Sequence, residues 1–255
     1  MQKAVKNIII RLAMLAGLML FLFLMIMAKI NRDNAVIKKI NIEIDDWNGN
    51  FLVDKQQVLQ TINNRFDVLD KSINGKELEK IEQALYIIPQ IKSANAFADK
   101  QGNLNIKIEQ RVPLFRVYNL QGQTFYVDNQ MHKFATSHTY SANVPIVTGN
   151  ISEKLDTSNK KIQTKILAQL FNVASAIRQN TLWNAMIGQY NINEKLQIEL
   201  IPRLGNATIL LGDDANIEQK LKQLNVFYFD VLRKEGWNKY KVINIMYKNQ
   251  VVCLR

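Results

Sequence analysis

The feature that most constrains this chain is an uninterrupted apolar run close to its N-terminus. Residues 12–28 carry no charge and no strongly polar side chain. Extended to Ile8 and Ile30, the run admits only Arg11 and Lys29, whose long side chains can reach lipid headgroups from its two ends. About 20 apolar residues in a helix match a hydrocarbon core about 30 Å thick. The run therefore predicts one transmembrane helix from Ile8 to Ile30, held in a lipid bilayer.

Two other kinds of segment can resemble such a run. A buried core helix usually interrupts its apolar residues with polar positions, which this run lacks. A cleaved signal peptide usually has an apolar stretch of about 7–15 residues and small residues before its cleavage site. Here the run is longer, and Ile26 occupies the position where a small residue is expected before cleavage after Ala28. The pattern favours an uncleaved anchor.

The basic residues around the run do not by themselves select an orientation. Positive residues are nearly balanced across it, with Lys3, Lys6 and Arg11 on one side and Lys29, Arg32, Lys38 and Lys39 on the other. A short basic tail ahead of a first apolar helix usually stays in the cytoplasm. We therefore predict that residues 1–7 are a cytoplasmic tail and that the chain after residue 30 is extracytoplasmic.

The composition of the remaining chain predicts a folded region with a mildly basic surface. About 225 residues follow the run, enough for one large domain or two small ones. The formal net charge is +11, and outside the first thirty residues the basic side chains are scattered among acids. Such scattering indicates a solvated surface. Cys253 is the only cysteine, so no intrachain disulfide can form.

The first part of this region predicts a compact unit with the order strand, helix, helix, strand, strand. Alternating isoleucines mark the first strand, Asp54 with Gln57 three residues on can cap the first helix, and the second helix follows Asn74-Gly75. The second helix ends before Pro89. The remaining strands run from 91 to 97 and from 104 to 108, separated by a turn at 99–102.

The sequence after Pro113 is richer in strands, so the fold class is α+β. Helical periodicity predicts helices from Lys160 to Arg178 and from Ile217 to Lys234. We expect these helices to pack on an antiparallel sheet. Its predicted parts are a hairpin of 115–118 with 124–127, an irregular extended stretch at 140–149, strands near 196–200 and 208–211, and two terminal strands, Val242–Tyr247 and Val251–Leu254.

Histidines and acids offer little sign of catalysis or of metal binding. The chain has no Gly-rich phosphate loop, paired-histidine motif or Gly-x-Ser-x-Gly elbow. His132 and His138 lie in a polar stretch and are interpreted as loop residues, although a ligand pair at this spacing is conceivable. The adjacent acids at 45–46 and 213–214 more often cap or turn a chain than share a proton.

The remaining candidate groups also favour structural roles. Cys253 lies in an apolar strand and is interpreted as a packed thiol. The tryptophans are widely separated, and no element interleaves basic residues with stacking aromatics as a nucleic-acid surface would. We therefore expect no enzyme activity, no cofactor, no metal, no nucleic acid and no small-molecule substrate. The tryptophans are Trp47, Trp183 and Trp237.

Four short motifs carry a family resemblance. In order along the chain they are Pro-Gln-Ile-Lys-Ser-Ala at 89–94, Gly-Asn-Leu-Asn-Ile-Lys-Ile-Glu-Gln-Arg-Val-Pro at 102–113, Tyr-Val-Asp at 126–128 and Val-Pro-Ile-Val-Thr-Gly at 144–149. Behind a signal anchor, this series resembles the FtsQ/DivIB family of bacterial cell-division proteins, in the form found in Bacteroidetes. The resemblance implies a POTRA domain over residues 31–111 and a β-domain over residues 112–255.

The resemblance also implies a function. Such proteins are non-catalytic divisome scaffolds in the inner membrane at the septum, with the C-terminal region in the periplasm. They link FtsB- and FtsL-like single-pass proteins to septal peptidoglycan synthesis, and FtsB adds a strand to the sheet edge at the end of the β-domain. The implied partner-binding residues here are Tyr247, Ile243, Ile245, Lys248, Asn249, Val251 and Val252.

The terminal motif also departs from the family pattern. Tyr247 falls on the family's strand tyrosine, whereas Leu254 and Arg255 replace the glycine and tryptophan of proteobacterial members. An ordinary closing hairpin is the plain structural alternative for these strands. The alternative function is a POTRA-type chaperone or assembly module of protein export or outer-membrane biogenesis, although such proteins usually carry several repeats. A tethered envelope hydrolase would need a catalytic constellation, and the sequence shows no such pattern.

Overall fold

The chain forms two compact units. A computed structural model describes residues 12, 14–25, 27, 36–45, 51–137, 140–156 and 160–255. Contacts divide the chain into unit 1, Met1–Gln110, and unit 2, Arg111–Arg255. This division falls one residue before the boundary predicted from sequence. Each unit has a hydrophobic core of its own.

The N-terminal apolar residues are helical where they are described. Residues 14–25 are in an α-helix, and their large apolar side chains are exposed. Across the described residues, no helix combines the length and apolarity needed to cross a membrane. The predicted span from Ile8 to Ile30 lies partly outside the described residues, so it stays a prediction.

Unit 1 has the predicted order of strand, helix, helix, strand, strand. Its elements are β1 (Lys39–Ile44), α1 (Lys55–Asn63), α2 (Gly75–Leu85), β2 (Ile91–Ala98) and β3 (Asn103–Gln110). In the sheet, β3 lies between β1, to which it is parallel, and β2, to which it is antiparallel.

Polar side chains fix where both helices of unit 1 begin. The Asp54 carboxylate accepts a hydrogen bond from the Gln56 backbone at 2.9 Å. At α2, the Asn74 side chain accepts from the Glu77 backbone at 3.1 Å, while Glu77 accepts from the Asn74 backbone at 2.9 Å. This reciprocal capping box satisfies two backbone donors that a helix start leaves unpaired. The cap at Asp54 was predicted, whereas the capping box at Asn74 was not. Both helices bury one apolar face. The buried helix residues include Val58, Ile62, Ile81, Ala84 and Leu85.

Unit 2 is larger and contains one continuous sheet. Its strands are β4 (Pro113–Tyr118), β5 (Thr124–Asp128), β6 (Lys133–Ala135), β7 (Ile146–Gly149), β8 (Ile187–Ile192), β9 (Ile198–Pro202), β10 (Thr208–Gly212), β11 (Val242–Asn244) and β12 (Val252–Leu254). Its helical elements are α3 (Lys165–Gln179), α4 (Thr181–Met186), α5 (Ile217–Val226), a π-helical segment (Phe227–Leu232) and α6 (Arg233–Glu235).

The sheet of unit 2 is mixed, which corrects the predicted antiparallel arrangement. Its strand order is β12-β11-β10-β9-β8-β7-β4-β5-β6. The pairs β4–β7, β7–β8 and β10–β11 are parallel, and the others are antiparallel. Helix-containing connections join the parallel pairs β7–β8 and β10–β11, whereas the connection from β4 to β7 runs through β5 and β6. The α+β class is confirmed.

Several predicted elements have different bounds. The helix predicted from Lys160 begins at Lys165, because residues 160–162 are extended and hydrogen-bond to the β6 region. The helix predicted over 217–234 contains a π-helical segment. The terminal strands are shorter than predicted, and β7 occupies part of the stretch predicted to be irregular.

Aromatic side chains pack the helical elements of unit 2 against one another. Trp183 of α4 and Tyr228 of the π-helical segment are each 1% exposed, and their rings meet edge to face at 5.2 Å. Trp237 lies 5.8 Å from Tyr228. Burial raises the pKa of Tyr228 to about 12, so its hydroxyl stays protonated. Trp183 and Trp237 therefore belong to the packing of unit 2, whereas Trp47 lies outside the described residues.

Candidate partner-binding site

The last strand of the chain lies at one end of the nine-stranded sheet. β12 pairs in antiparallel fashion with β11, and Ile243 lies opposite Cys253. Among the described residues, no strand pairs with the other long edge of β12. An unpaired edge presents backbone donors and acceptors to any chain that can add a strand.

The backbone groups that face this open edge can be assigned from one hydrogen bond. The carbonyl of Leu254 accepts from the Lys241 backbone at 2.8 Å, so it points back toward β11. Successive residues of a strand direct their backbone groups to opposite sides. The N–H and C=O of Cys253 consequently point away from β11, toward the open edge.

Side chains alternate across β12. Val252 and Leu254 are 41% and 60% exposed on one face. Cys253, between them, packs against the core on the other face. Burial raises the pKa of the Cys253 thiol, so this side chain stays protonated and is a poor nucleophile. A partner at this edge could therefore contact apolar side chains on the exposed face of β12, whereas the other face is packed against the core.

Two of the predicted contact residues lie in the core. Ile243 and Ile245 are fully buried, and β11 is paired on both sides by β10 and β12. Their side chains support the edge from within and are not accessible to a partner in this structure.

The other predicted contacts belong to the turn between β11 and β12 or to β12 itself. Tyr247 is 48% exposed, Lys248 and Asn249 are exposed, and Val251 is half-buried. Asn249 has a backbone φ of 59°, in the left-handed region that asparagine tolerates better than most residues. The structure thus brings Tyr247, Lys248, Asn249 and Val252 to the surface at one end of the sheet.

Helix α5 holds this turn in place. The Gln219 side-chain amide donates to the Asn249 side chain at 3.3 Å, and the Gln223 amide donates to the Gln250 carbonyl. The cavity left between helix and turn is only about 40 Å³, enough for about one water molecule. These contacts hold the turn that precedes β12 against α5 in the protein without a partner.

Sequence reasoning missed Leu254 as a contact and both glutamines as supports. The alternation of Val252 and Leu254 could have identified Leu254 as a neighbour on the same strand face. No local pattern identifies Gln219 or Gln223, because their partners lie about 30 residues further along the chain.

His132 is held by its backbone, whereas its ring Nδ1 lies 3.8 Å from the Asp128 carboxylate and forms no hydrogen bond with a described residue. Asp128 is 1% exposed and accepts from Arg111 at 2.7 Å and from the His132 backbone at 2.9 Å. Burial lowers the pKa of His132, although Asp128 opposes that shift. Within the described residues no group of histidines, cysteines and acids is arranged to hold a metal ion. His138 lies outside the described residues.

The adjacent acids Asp213 and Asp214 form hydrogen bonds with different side chains. Asp213 accepts from Lys220 at 2.8 Å, and this hydrogen bond lowers its pKa. Asp214 instead accepts from Gln169 at 3.2 Å and from Asn172 at 2.7 Å. The two carboxylates therefore bind different elements and do not face each other as a catalytic pair. Asp45 is described, whereas Asp46 is not.

Comparisons with known proteins assign both units to families. A family described as FtsQ/DivIB, C-terminal related, matches residues 112–254. A POTRA-like domain matches residues 35–109. No curated protein matches the chain.

Proposed function

The chain belongs to the FtsQ/DivIB-related family, and we propose that it is a non-catalytic scaffold of bacterial cell division. Its task is to bind FtsB- and FtsL-like single-pass proteins and so link them to septal peptidoglycan synthesis. The contact is made by strand addition to β12. We assign residues 31–111 to the POTRA domain and 112–255 to the partner-binding β-domain.

The open edge of β12 carries this proposal. Outward backbone groups at Cys253 can form a ladder with an incoming strand, and Val252 and Leu254 can pack against its side chains. A flanking turn held by Gln219 and Gln223 requires little ordering on binding. Tyr247 lies exposed in the turn before β12 and adds an aromatic contact with the partner.

Attachment to the inner membrane is part of the same proposal. The apolar run from Ile8 to Ile30 spans the bilayer, with residues 1–7 in the cytoplasm and both folded units in the periplasm. The exposed apolar helix at residues 14–25 supports this placement. The anchor keeps the β12 edge close to other single-pass proteins at the septum.

A proline substitution tests the backbone contact directly. Cys253→Pro removes one N–H from the open edge while leaving the pairs between β11 and β12 intact, since proline is tolerated where its nitrogen faces outward. Cys253→Ala removes the same side chain but retains the N–H. Each variant is purified from membranes through an N-terminal tag, after co-expression with the FtsB- and FtsL-like proteins of the same bacterium.

The proposal expects the alanine variant to retain both partners and the proline variant to lose them. If both variants co-purify with equal amounts of the FtsB- and FtsL-like proteins, strand addition at β12 is contradicted. Depletion of the protein is expected to give long cells without septa, and normal septation after complete depletion contradicts the division role. A chaperone of export or outer-membrane assembly would instead give loss of outer-membrane proteins in dividing cells.

A further inference from the structure

The turn between β11 and β12 contains a methionine that lies outside the hydrophobic core. Met246 is half-buried and comes directly before Tyr247, the exposed aromatic residue of this turn. Met186 is also half-buried, but it packs against the core of unit 2, whereas Met246 is not among the side chains that do so. The Met246 backbone donates to the Asn244 side chain at 2.9 Å. The thioether therefore lies beside the residues of the proposed partner-binding turn.

On one side the Met246 sulfur is closely packed against the end of β10. A side-chain carbon built on Gly212 would lie 2.8 Å from this sulfur, so the methionine occupies the room that a larger residue would need. Gly212 also has a φ of 86°, which glycine adopts without strain. On this side the sulfur has no space for another atom.

The other surroundings of the sulfur are polar. The side-chain amide of Gln197, directly before β9, donates to the Met246 sulfur at 3.6 Å. Met246 also lines the cavity of about 40 Å³ between α5 and the turn, together with the exposed residues Tyr247 and Lys248. A cavity that holds about one water molecule can admit hydrogen peroxide, which has only one more oxygen atom.

The Gln197 amide favours an oxidised form of this side chain. A thioether sulfur is a weak hydrogen-bond acceptor. Its sulfoxide is polar and carries an oxygen that accepts hydrogen bonds more strongly. Oxidation therefore strengthens an interaction with a donor that is already in place.

We propose that Met246 is a reversible oxidation site that controls partner binding at β12. The thioether sulfur attacks one oxygen of hydrogen peroxide, and the O–O bond breaks. The proton on the transferred oxygen passes to the departing hydroxide, so one sulfoxide and one water form. Sulfur loses two electrons and the peroxide gains them. A methionine sulfoxide reductase restores the thioether.

The added oxygen should displace the turn that precedes β12. Because the sulfur has no space beside Gly212, the larger side chain must move toward Gln197 or into the cavity. Either movement shifts the backbone next to Tyr247 and disturbs the hydrogen bonds from α5 that hold the turn. The control of partner binding rests on the proposed function, whereas the oxidation of Met246 does not.

Peptide mass spectrometry locates the oxidation. The full chain is purified in detergent, treated with hydrogen peroxide and digested at intervals. We expect the mass of one added oxygen atom to appear at Met246 before Met186, because the packed side chain of Met186 is harder to reach. In the oxidised protein, hydrogen exchange at amides 247–250 should become faster, while exchange in β4 stays unchanged.

Capture of partners tests the control. The oxidised chain is freed of peroxide and mixed with separately purified, untreated FtsB- and FtsL-like proteins. The natural protein should lose most of its capture on oxidation and regain it after treatment with methionine sulfoxide reductase. Met246→Leu has a side chain of similar volume that peroxide does not oxidise, so its capture should persist. Met186→Leu is the matched control and should lose capture as the natural protein does.

Three results overturn the proposal. They are oxidation of Met186 before Met246, unchanged capture after Met246 is oxidised, and an equal loss of capture in the oxidised Met246→Leu variant. Should that variant bind poorly before oxidation, reversal by the reductase in the natural protein decides the case. Failure of the untreated natural protein to capture the partners contradicts the proposed function instead, and the mass and exchange measurements still decide whether Met246 is an oxidation site.

Discussion

A buried ion pair fastens one loop of unit 2 to its sheet. Lys133 and Glu153 are 2.5 Å apart, with side chains 1% and 2% exposed. Lys133 also donates to the Lys154 carbonyl, and Glu153 accepts from the backbones of Gln163 and Thr164. Because both charges are paired by hydrogen bonds, the cluster ties residues 153–154 and 163–164 to β6.

Removing one charge of this pair should strongly destabilise unit 2. Glu153→Gln leaves the Lys133 ammonium buried without its counter-ion, so we expect a loss of about 3 kcal/mol in the free energy of unfolding. Glu235→Gln is the matched control, because its ion pair with Lys239 is partly exposed and should contribute less than about 1 kcal/mol. Urea unfolding measures both, and equal losses would show that burial does not determine the difference.

The same carboxylate should make unit 2 sensitive to acid. Burial alone would raise the pKa of Glu153, but hydrogen bonds from Lys133, Thr164 and Gln163 outweigh it and hold the pKa below the usual 4.5. Its stabilising contribution is complete above pH 4.5 and is lost as the pH falls through the lower folded-state pKa. The urea concentration at the unfolding midpoint of the natural protein should decrease as the pH is lowered through that range. The decrease should be smaller in the double variant Lys133→Met with Glu153→Leu.

At the scale of elements, the exposed face of β12 gives a second test of the proposed interface. Leu254→Asp places a charge where an apolar contact with the partner is expected, so capture of FtsB- and FtsL-like proteins should fall. Leu120→Asp is the control, because Leu120 is equally exposed, at 60%, in the turn between β4 and β5. Co-purification from membranes measures capture, and an equal effect of the two changes would contradict a contact at β12.

Local patterns predicted elements better than their bounds or their neighbours in the sheet. The alternating isoleucines of β1 and the cap at Asp54 are local patterns, and both predictions are confirmed. β8 was missed because a bulge between Ile187 and Gln189 breaks the alternation of its buried residues. α3 begins late because residues 160–162 hydrogen-bond near β6, a contact that helical periodicity cannot indicate.

The candidate site was only partly predictable for the same reason. Family resemblance and β-propensity pointed to the terminal strands, but the sequence could not show that β11 would lie between β10 and β12. In that position Ile243 and Ile245 are buried, and the side chains exposed for contact with a partner are those of Val252 and Leu254. Strand order depends on pairings distant in sequence, so it determines which residues of a predicted strand are accessible.

At the scale of the whole molecule, separate cores predict separate unfolding. Leu85 is fully buried in unit 1 and Leu170 is fully buried in unit 2. Each leucine-to-alanine change should cost about 3 kcal/mol. Leu85→Ala should lower one calorimetric transition, and Leu170→Ala should lower the other. A single transition that both variants shift equally would show that the units unfold together.

The junction between the units consists of two adjacent residues, each of which is bonded within its own unit. The Gln110 side chain accepts from the Leu52 backbone at 2.8 Å and donates to the Asp45 carbonyl at 2.9 Å, both within unit 1. Arg111 instead forms its ion pair with Asp128 of unit 2. No residue lies between these two attachments, so the chain has no free linker residue at this point. An insertion of flexible residues between 110 and 111 would therefore create a linker where the natural chain has none.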